Sequence, residues 1–463
     1  MDNEIFLETY GFPVEELNEL LESKQLRQLR EKINELNEAD IAEYLEELPE
    51  EKRLLVFRML HKDLASEVFA FLPVEIQEMI INSISDAEVG RIIEDLYVDD
   101  AVDMLEELPA SVVRRVLKNA KSDTRALINQ YLNYPENSAG SIMTAEYLSL
   151  KKEWHVSDAF NYIRANGQDS ETIYVLYVTD NSRHLDGVVT VKDLLMNSYE
   201  TTIGDIMEEN VFHCITTDDQ EDVVELFNRY DLLSLPVVDQ ENRLVGIVSV
   251  DDAVDVMEDE ATEDIEKMAA IIPTEHSYFR TSVFDTWKSR IPWLMILMLG
   301  STFTGIIITS FESSLAACVA LTGFIPMIMD TAGNAGSQAS VTVIRAMSLG
   351  DVEFRDMFRV IWKEVRVALV CGITLASVNF VKIWLVDRMI LGQNISLTMD
   401  LVVCLTAMSV VILAKLVGCT LPMFVNKIGL DPAVVASPLI TTLIDAVSLL
   451  IYFLFARAIL GIA

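Results

Sequence analysis

Cysteine and histidine are scarce, five of each in 463 residues. Cys214, Cys318, Cys371, Cys404 and Cys419 form no C-x-x-C pair, so the chain lacks a disulfide or zinc framework and they read as small buried hydrophobes in a reducing context. His61, His155, His184, His213 and His276 show no metal-ligand spacing. A nucleophile–base constellation, a Walker-type phosphate loop and a zinc motif are also missing, and an enzyme is therefore not expected. Positive charge is in short supply: 35 Lys+Arg face 72 Asp+Glu, a net charge of −37. Such a balance repels nucleic acid and gathers cations. No charged-then-apolar signal peptide opens the sequence, which leads us to expect a cytoplasmic N-terminus.

The charge is not evenly spread. Residues 1–290 hold 62 acids against 25 basic residues, whereas residues 291–463 hold 10 of each. The first part reads as an acidic, water-exposed assembly and the second as membrane. Five apolar stretches follow one another, near Ile291–Phe311, Leu315–Ile344, Val367–Leu385, Leu401–Val425 and Ala433–Leu460. Five spans put the chain ends on opposite faces of a cell membrane. Lys288, Arg290 and the loop with Arg345, Arg355, Arg359, Lys363 and Arg366 are richer in positive charge than the loop with Lys382 and Arg388, which places the large N-terminal part in the cytoplasm.

From Asn37 a twelve-residue period runs through eight units, from NEADIAEYLEEL to KSDTRALINQYL. Each unit is long enough for one short helix, so neighbouring units should stack as a small α-solenoid. Several prolines fall where a first helical turn tolerates them. A second repeat lies between residues 137 and 258: Met143 answers to Met207, and Gly187, Thr190 and Asp193 answer to Gly246, Ser249 and Asp252. With helix-like Val156–Ala165 and Gln220–Tyr230 and strands at Ile173–Val178, Leu235–Val238 and Leu244–Val250, this pattern resembles a tandem pair of CBS domains. In that family such hydroxyl and carboxylate positions, here Thr190, Asp193 and Ser249, often contact an adenine nucleotide such as ATP, which leaves nucleotide binding open.

Asp251–Ile272 is predicted to be one long helix, stopped by Pro273. Lys267 is the lone cation among its many acids, so the helix is either a solvated face or a divalent-ion interface. An amphipathic stretch, Phe279–Arg290, leads on to the membrane. In the second span Asp330, Asn334 and Gln338 crowd together with Gly333 and Gly336. Small residues alone would signal close helix packing, but packing does not call for carboxamides and a carboxylate. They suggest a wet path. The last span carries Asp445 alone, in an apolar run where a carboxylate costs about 2.5–3.5 kcal/mol on insertion scales. Asp431 stands at the mouth of that span, and Pro438 is expected to free a backbone carbonyl near Val434. Magnesium suits such a path, since it keeps its waters and is held by one or two carboxylates. Two chains on a two-fold axis would supply the second carboxylate.

The order of these modules, with GNAGSQ at Gly333–Gln338 and DPAxxxxPLxTTxxD at Asp431–Asp445, resembles the MgtE family of magnesium channels over essentially the whole chain. The resemblance implies a homodimer with its pore made by the second and fifth spans. Asp445 would select hydrated Mg²⁺, Asn334 would line the pore wall and Thr441 would offer a carbonyl near the filter. Position 437 is Ser where some members have Asn. The resemblance also implies a plug formed by the acidic helix and closed by cytoplasmic Mg²⁺. The matching acids are Glu67, Asp99 and Asp103; Asp219, Glu221, Asp231, Asp252 and Asp255; and Glu260, Glu263, Asp264 and Asp431.

The expected fold is thus a multidomain membrane protein. It comprises an all-α superhelical N domain (1–136), an α/β tandem CBS pair (137–258), an acidic plug helix with a juxtamembrane segment (259–290) and a five-helix α transmembrane domain (291–463). Its expected partners are a second copy of itself, Mg²⁺ and the lipid bilayer, with no nucleic acid. Two other readings compete: a nucleotide-sensing membrane receptor with a CBS pair, and a cation exporter coupled to H⁺ or Na⁺, since a proton relay would also use an intramembrane Asp.

Overall fold

The computed structural model describes residues 12–274, 278, 281–392, 395–435 and 437–461. It divides into two compact units, Met1–Met257 and Glu258–Ala463.

Among the described residues, the first unit begins with ten short helices: α1 (Val14–Glu22), α2 (Leu26–Ile33), α3 (Glu38–Glu47), α4 (Glu50–Phe57), α5 (Lys62–Ala70), α6 (Val74–Ser83), α7 (Asp86–Asp95), α8 (Val98–Glu107), α9 (Ala110–Asn119) and α10 (Ser122–Tyr131). The twelve-residue period is therefore one helix per unit from α3 to α10. Pro49, Pro73 and Pro109 are N-caps and not first-turn residues as expected. A proline pushes the residue before it to extended backbone, and Leu48 and Leu108 end their helices in that conformation. Ser85 and Glu88 close a capping box on α7. Alternate helices stack: α3 on α5, α5 on α7, α7 on α9, and α8 on α10. Each amphipathic face thereby finds cover, with Leu45, Val68, Ile80, Val102 and Val116 fully or almost fully buried.

Two three-stranded sheets follow, β1 (Ser149–Leu150), β2 (Val175–Thr179) and β3 (Leu185–Thr190), then β4 (Cys214–Ile215), β5 (Ser234–Val238) and β6 (Leu244–Ser249). Each has a parallel pair followed by an antiparallel pair, in the order of the chain. Helices α11 (Val156–Asn166), α12 (Val191–Met196), α13 (Ile203–Ile206) and α14 (Gln220–Tyr230) complete the two halves. The halves exchange their leading segments. Met143 of the first repeat packs on Gly246 of the second, where an added Cβ would lie 2.7 Å from its sulfur. Met207 packs likewise on Gly187, with the corresponding distance 2.9 Å. Glycine is needed at both places because the crossing chain runs against the strand, as the bridges Thr144–Ile247 and Val188–Glu208 show.

Helix α15 (Val250–Met268) spans the boundary between the units. It ends short of the expected Ile272 because Ala270 adopts a left-handed backbone, φ 55°, that breaks the hydrogen-bond ladder. The second unit then holds α16 (Val283–Ser310), a short α17 (Glu312–Ala317), α18 (Ile325–Ser348), α19 (Met357–Lys382), α20 (Leu397–Lys427) and α21 (Ser437–Leu460).

Among the described residues, four helical segments are long and apolar enough to cross a membrane: Val283–Ser310, Phe354–Ile390, Leu397–Lys427 and Pro438–Leu460. Helix α18 is the fifth long helix, made too polar for that group by Asp330, Asn334 and Gln338. Its expected run from Leu315 is broken: α17 gives way to a 3-10 segment, Val319–Phe324, before Pro326 starts α18 in its first turn. The last span also begins later than expected. Pro432–Val435 is a 3-10 turn and α21 starts at Ser437, so Pro438 sits in a first turn and frees no helical carbonyl near Val434. Helix α18 packs on α20 and α21, α19 on α20, and α16 on α21.

Candidate functional site

The carboxylate and carboxamides of α18 fall on one side. Ile328, Ala332, Ala335, Ala339 and Val343 are buried against the bundle. Asp330, Asn334 and Gln338, one turn apart on the opposite side, are exposed. Glycine lets α21 come close to this stripe: an added Cβ on Gly333 would lie 2.7 Å from Thr441 Cγ2 and 3.7 Å from Asp445 Oδ1. Ser337 Oγ and Thr441 Oγ1 are 3.2 Å apart. Asp445 Oδ1 is buried without a hydrogen-bond partner. Asp330 lies close enough to act on its charge. The structure thus brings the expected Thr441 and Asp445 against Gly333 and Ser337 of the polar helix, whose exposed stripe holds the expected Asn334 together with Asp330 and Gln338.

A second group lies at the start of α21. Asp431 Oδ1 caps the 3-10 turn by accepting from Ala433 N at 2.7 Å. Its other oxygen is 2.8 Å from Lys267 Nζ, which also lies 2.5 Å from Glu263 Oε1. These two acids hold the Lys267 ammonium firmly charged, raising it above the ordinary lysine range despite partial desolvation. Asp264, half-buried, is pushed up by desolvation and by Asp431, while Lys267 and Arg345 act the other way. Lys267 and Arg345 were both visible in the sequence, but that Lys267 pairs with Asp431 and Arg345 acts on Asp264 was not.

The third group lies within the first unit. Asp99 is buried, its Oδ1 unpartnered, and desolvation together with Asp100, Asp252, Glu146 and Glu171 pushes its carboxyl well above the usual range. Desolvation with Asp252, Glu146 and Asp251 takes Asp100 up to about 6, and desolvation with Asp252, Asp251, Asp100 and Glu146 takes Glu171 up to about 7. Asp103 has an open outer surface but is desolvated on its inner side and faces Asp100, Glu106 and Asp252, which take it up to about 7. Asp99, Asp103 and Asp252 were expected together. Asp100, Glu146, Glu171 and Asp251 were not, because Glu146 and Glu171 come from loops of the CBS pair and no pattern in the sequence ties them to the helices of the N domain.

A raised carboxyl destabilises the fold when it ionises. The cost is absent below the unfolded values of about 4, grows as pH rises towards 7, and is complete above that. In chelator, the first unit of the full-length protein is therefore expected to resist protease better at pH 5 than at pH 8, and added Mg²⁺ should erase the difference. Equal resistance at both values without a divalent ion would contradict this electrostatic account.

The remaining expected residues are dispersed. Glu67 sits apart with Glu38 and Asp63, which together with desolvation raise its carboxyl. Asp219 caps α14, accepting from Glu221 N at 2.9 Å, and Asp231 ends the same helix in a left-handed conformation, φ 51°. Asp255 and Glu260 lie along α15. The CBS hydroxyl and carboxylate motif does local work in both halves. Thr190 with Asp193 and Ser249 with Asp252 form reciprocal N-terminal caps, with Thr190 Oγ1 2.5 Å from Asp193 Oδ2. The side chain of Ser437 lies outside the described residues. Among the described residues, no three His, Cys, Asp or Glu side chains are grouped to hold an ion directly.

A helical solenoid, a CBS pair and a bundle of apolar helices with one polar stripe define the class, a membrane transporter. The comparisons with known proteins agree. A family model described as a divalent cation transporter, MgtE, matches residues 325–455, the MgtE intracellular N domain matches 36–137, and CBS domains match 139–200 and 203–259. The magnesium transporter MgtE of Thermus thermophilus is 36% identical over 90% of this chain and 91% of its own. That of Bacillus subtilis is 33% identical over 89% and 90%. The chain belongs to the MgtE family. Its fold is similar to the crystal structure of the soluble part of a magnesium transporter, at 32% identity and TM-score 0.51, covering 54% of this chain and 98% of that one. It is also similar to the cytosolic domain of the Mg²⁺ channel MgtE in complex with ATP, at 36% identity and TM-score 0.50, covering 52% and 99%.

Proposed function

We propose that this protein is a magnesium-selective channel of the cell membrane, a homodimer whose pore is lined by α18 and α21 and whose opening is inhibited by Mg²⁺ on the cytoplasmic side. One observation carries the reading: the exposed Asp330–Asn334–Gln338 stripe lies beside Thr441 and the unpartnered Asp445 in a bundle of apolar helices. Polar groups on a membrane helix need water or a partner protein, and a water-filled dimer axis supplies both. Asp445 from each chain would face a hydrated ion through its waters, which suits carboxylates that are not grouped for direct ligation.

For the gate, the acids of the first unit and those beside Asp431 act as the sensor. Mg²⁺ bound among them offsets their repulsion and favours the closed form; its loss lets repulsion open the channel. At the mouth the ion must compete with Lys267, which already occupies Glu263 and Asp431. The CBS pair of this chain takes an adenine nucleotide in the same reading, with Thr190, Asp193 and Ser249 at the motif; the similarity to an MgtE cytosolic domain in complex with ATP supports this. The N-terminal unit then faces the cytoplasm.

Purified protein in liposomes is expected to pass Mg²⁺ down its gradient, and millimolar Mg²⁺ on the side of the N-terminal unit should suppress that flux. Flux that needs a proton or sodium gradient would make the protein a coupled carrier, and nucleotide binding without flux would make it a receptor.

A further inference from the structure

Behind the Asp445 face, the bundle holds a pair of charges that the proposed ion path does not touch. Lys415 of α20 and Glu364 of α19 expose only 7% and 11% of their side chains, and Lys415 Nζ lies 3.6 Å from Glu364 Oε2. That oxygen makes no hydrogen bond among the described residues. Each charge alone is costly inside a membrane-spanning helix, and the two offset each other only while α19 and α20 keep their relative depth.

The adjoining face of α20 is set by glycine. Gly418, less than one turn from Lys415, presses on the backbone oxygen of Gly336 in α18 with no room for a Cβ. A Cβ on Gly336 would lie 3.3 Å from Ala414 O and would collide with Ile444. Ile444 immediately precedes Asp445. A contact chain therefore runs from Glu364 through Lys415, the Ala414–Gly418 turn and Gly336 to the residue beside the intramembrane acid. The backbone contact between Gly418 and Gly336 has no flexible side chain to absorb a displacement, so a change in the depth of α20 passes directly to α18, and from Gly336 to the Ile444 side chain packed on it from α21.

We propose that Glu364 and Lys415 are a positioning pair for ion selection: their attraction fixes the depth of α20 and, through Gly336, the spacing between α18 and Asp445. The proposal rests on the pore reading above. A selective site must be held to within about 0.5 Å by the residues behind it, and this pair is placed to do that.

The test uses the full-length protein in liposomes and compares Mg²⁺ with Ca²⁺ flux. Glu364→Gln with Lys415→Met removes both charges together and leaves neither alone in the bundle. This double variant is expected to run as wild type on size exclusion and to conduct, but with its preference for Mg²⁺ lowered about tenfold. Exchanging the charges, Glu364→Lys with Lys415→Glu, keeps the attraction and should restore the preference. An unchanged ratio in the double variant overturns the proposal, as does an exchanged variant as unselective as the double. Wild type and Asp445→Asn run in parallel: a wild type without Mg²⁺ flux, or an Asp445→Asn protein that conducts normally, overturns the pore reading itself.

Discussion

Asp445→Asn is expected to leave assembly intact and to abolish Mg²⁺ flux, by a hundredfold or more. The substitution keeps the shape of the side chain and removes a charge whose placement in the membrane is costly, so the bundle should form at least as readily. What is lost is attraction for a divalent ion. A unit charge at 4 Å in an effective dielectric of 20 interacts with another by about 4 kcal/mol, and the proposed dimer loses one carboxylate from each chain. Even half of that energy per carboxylate amounts to more than a hundredfold in all. The measurement is Mg²⁺ uptake by liposomes loaded with equal amounts of size-exclusion-pure protein. Wild-type uptake by the variant would mean that Asp445 does not hold the ion, and the pore reading would fall.

The second large effect is structural. Gly418→Val should prevent α18 and α20 from packing, because the new side chain meets the backbone oxygen of Gly336, which cannot turn aside. Overpacking costs about 1–3 kcal/mol where side chains can yield, and a clash with backbone lies at or beyond the upper end of that range. The purified variant is expected to aggregate, or to melt far below wild type, on size exclusion after heating. Gly305→Ala is the control: nothing lies within 4 Å of a Cβ there. It should melt as wild type. If both variants behave alike, close approach of α18 and α20 does not hold the bundle together.

These two residues were not equally visible in the sequence. Asp445 stood out because one acid in a long apolar run breaks a pattern. Gly418 sits among Val417 and Cys419 in an apolar helix, where glycine is unremarkable until the facing backbone is known. The same division recurs elsewhere. Periodicity marked the helices α3–α10, and duplication marked the paired strands and glycines of the CBS halves. Neither could show that Met143 crosses to Gly246 and Met207 to Gly187. The apolar stretch from Leu315 hid a break at Val319–Phe324, since composition does not report where a chain turns. Pro438 read as a kink and proved to be a first-turn residue, because the helix start had been placed too early.

Taken by itself, the sequence determined the local and compositional features: helix period, duplicated halves, the concentration of acid before the spans, and the isolated intramembrane carboxylate. Each follows from neighbouring residues or from totals. Only the tertiary structure decided which charges share an environment. It set Glu146 and Glu171 beside Asp99, put Lys267 between Glu263 and Asp431, and buried Lys415 against Glu364. The physical reason is that desolvation and Coulomb energy depend on burial and distance, and both are set by contacts between residues far apart in the chain.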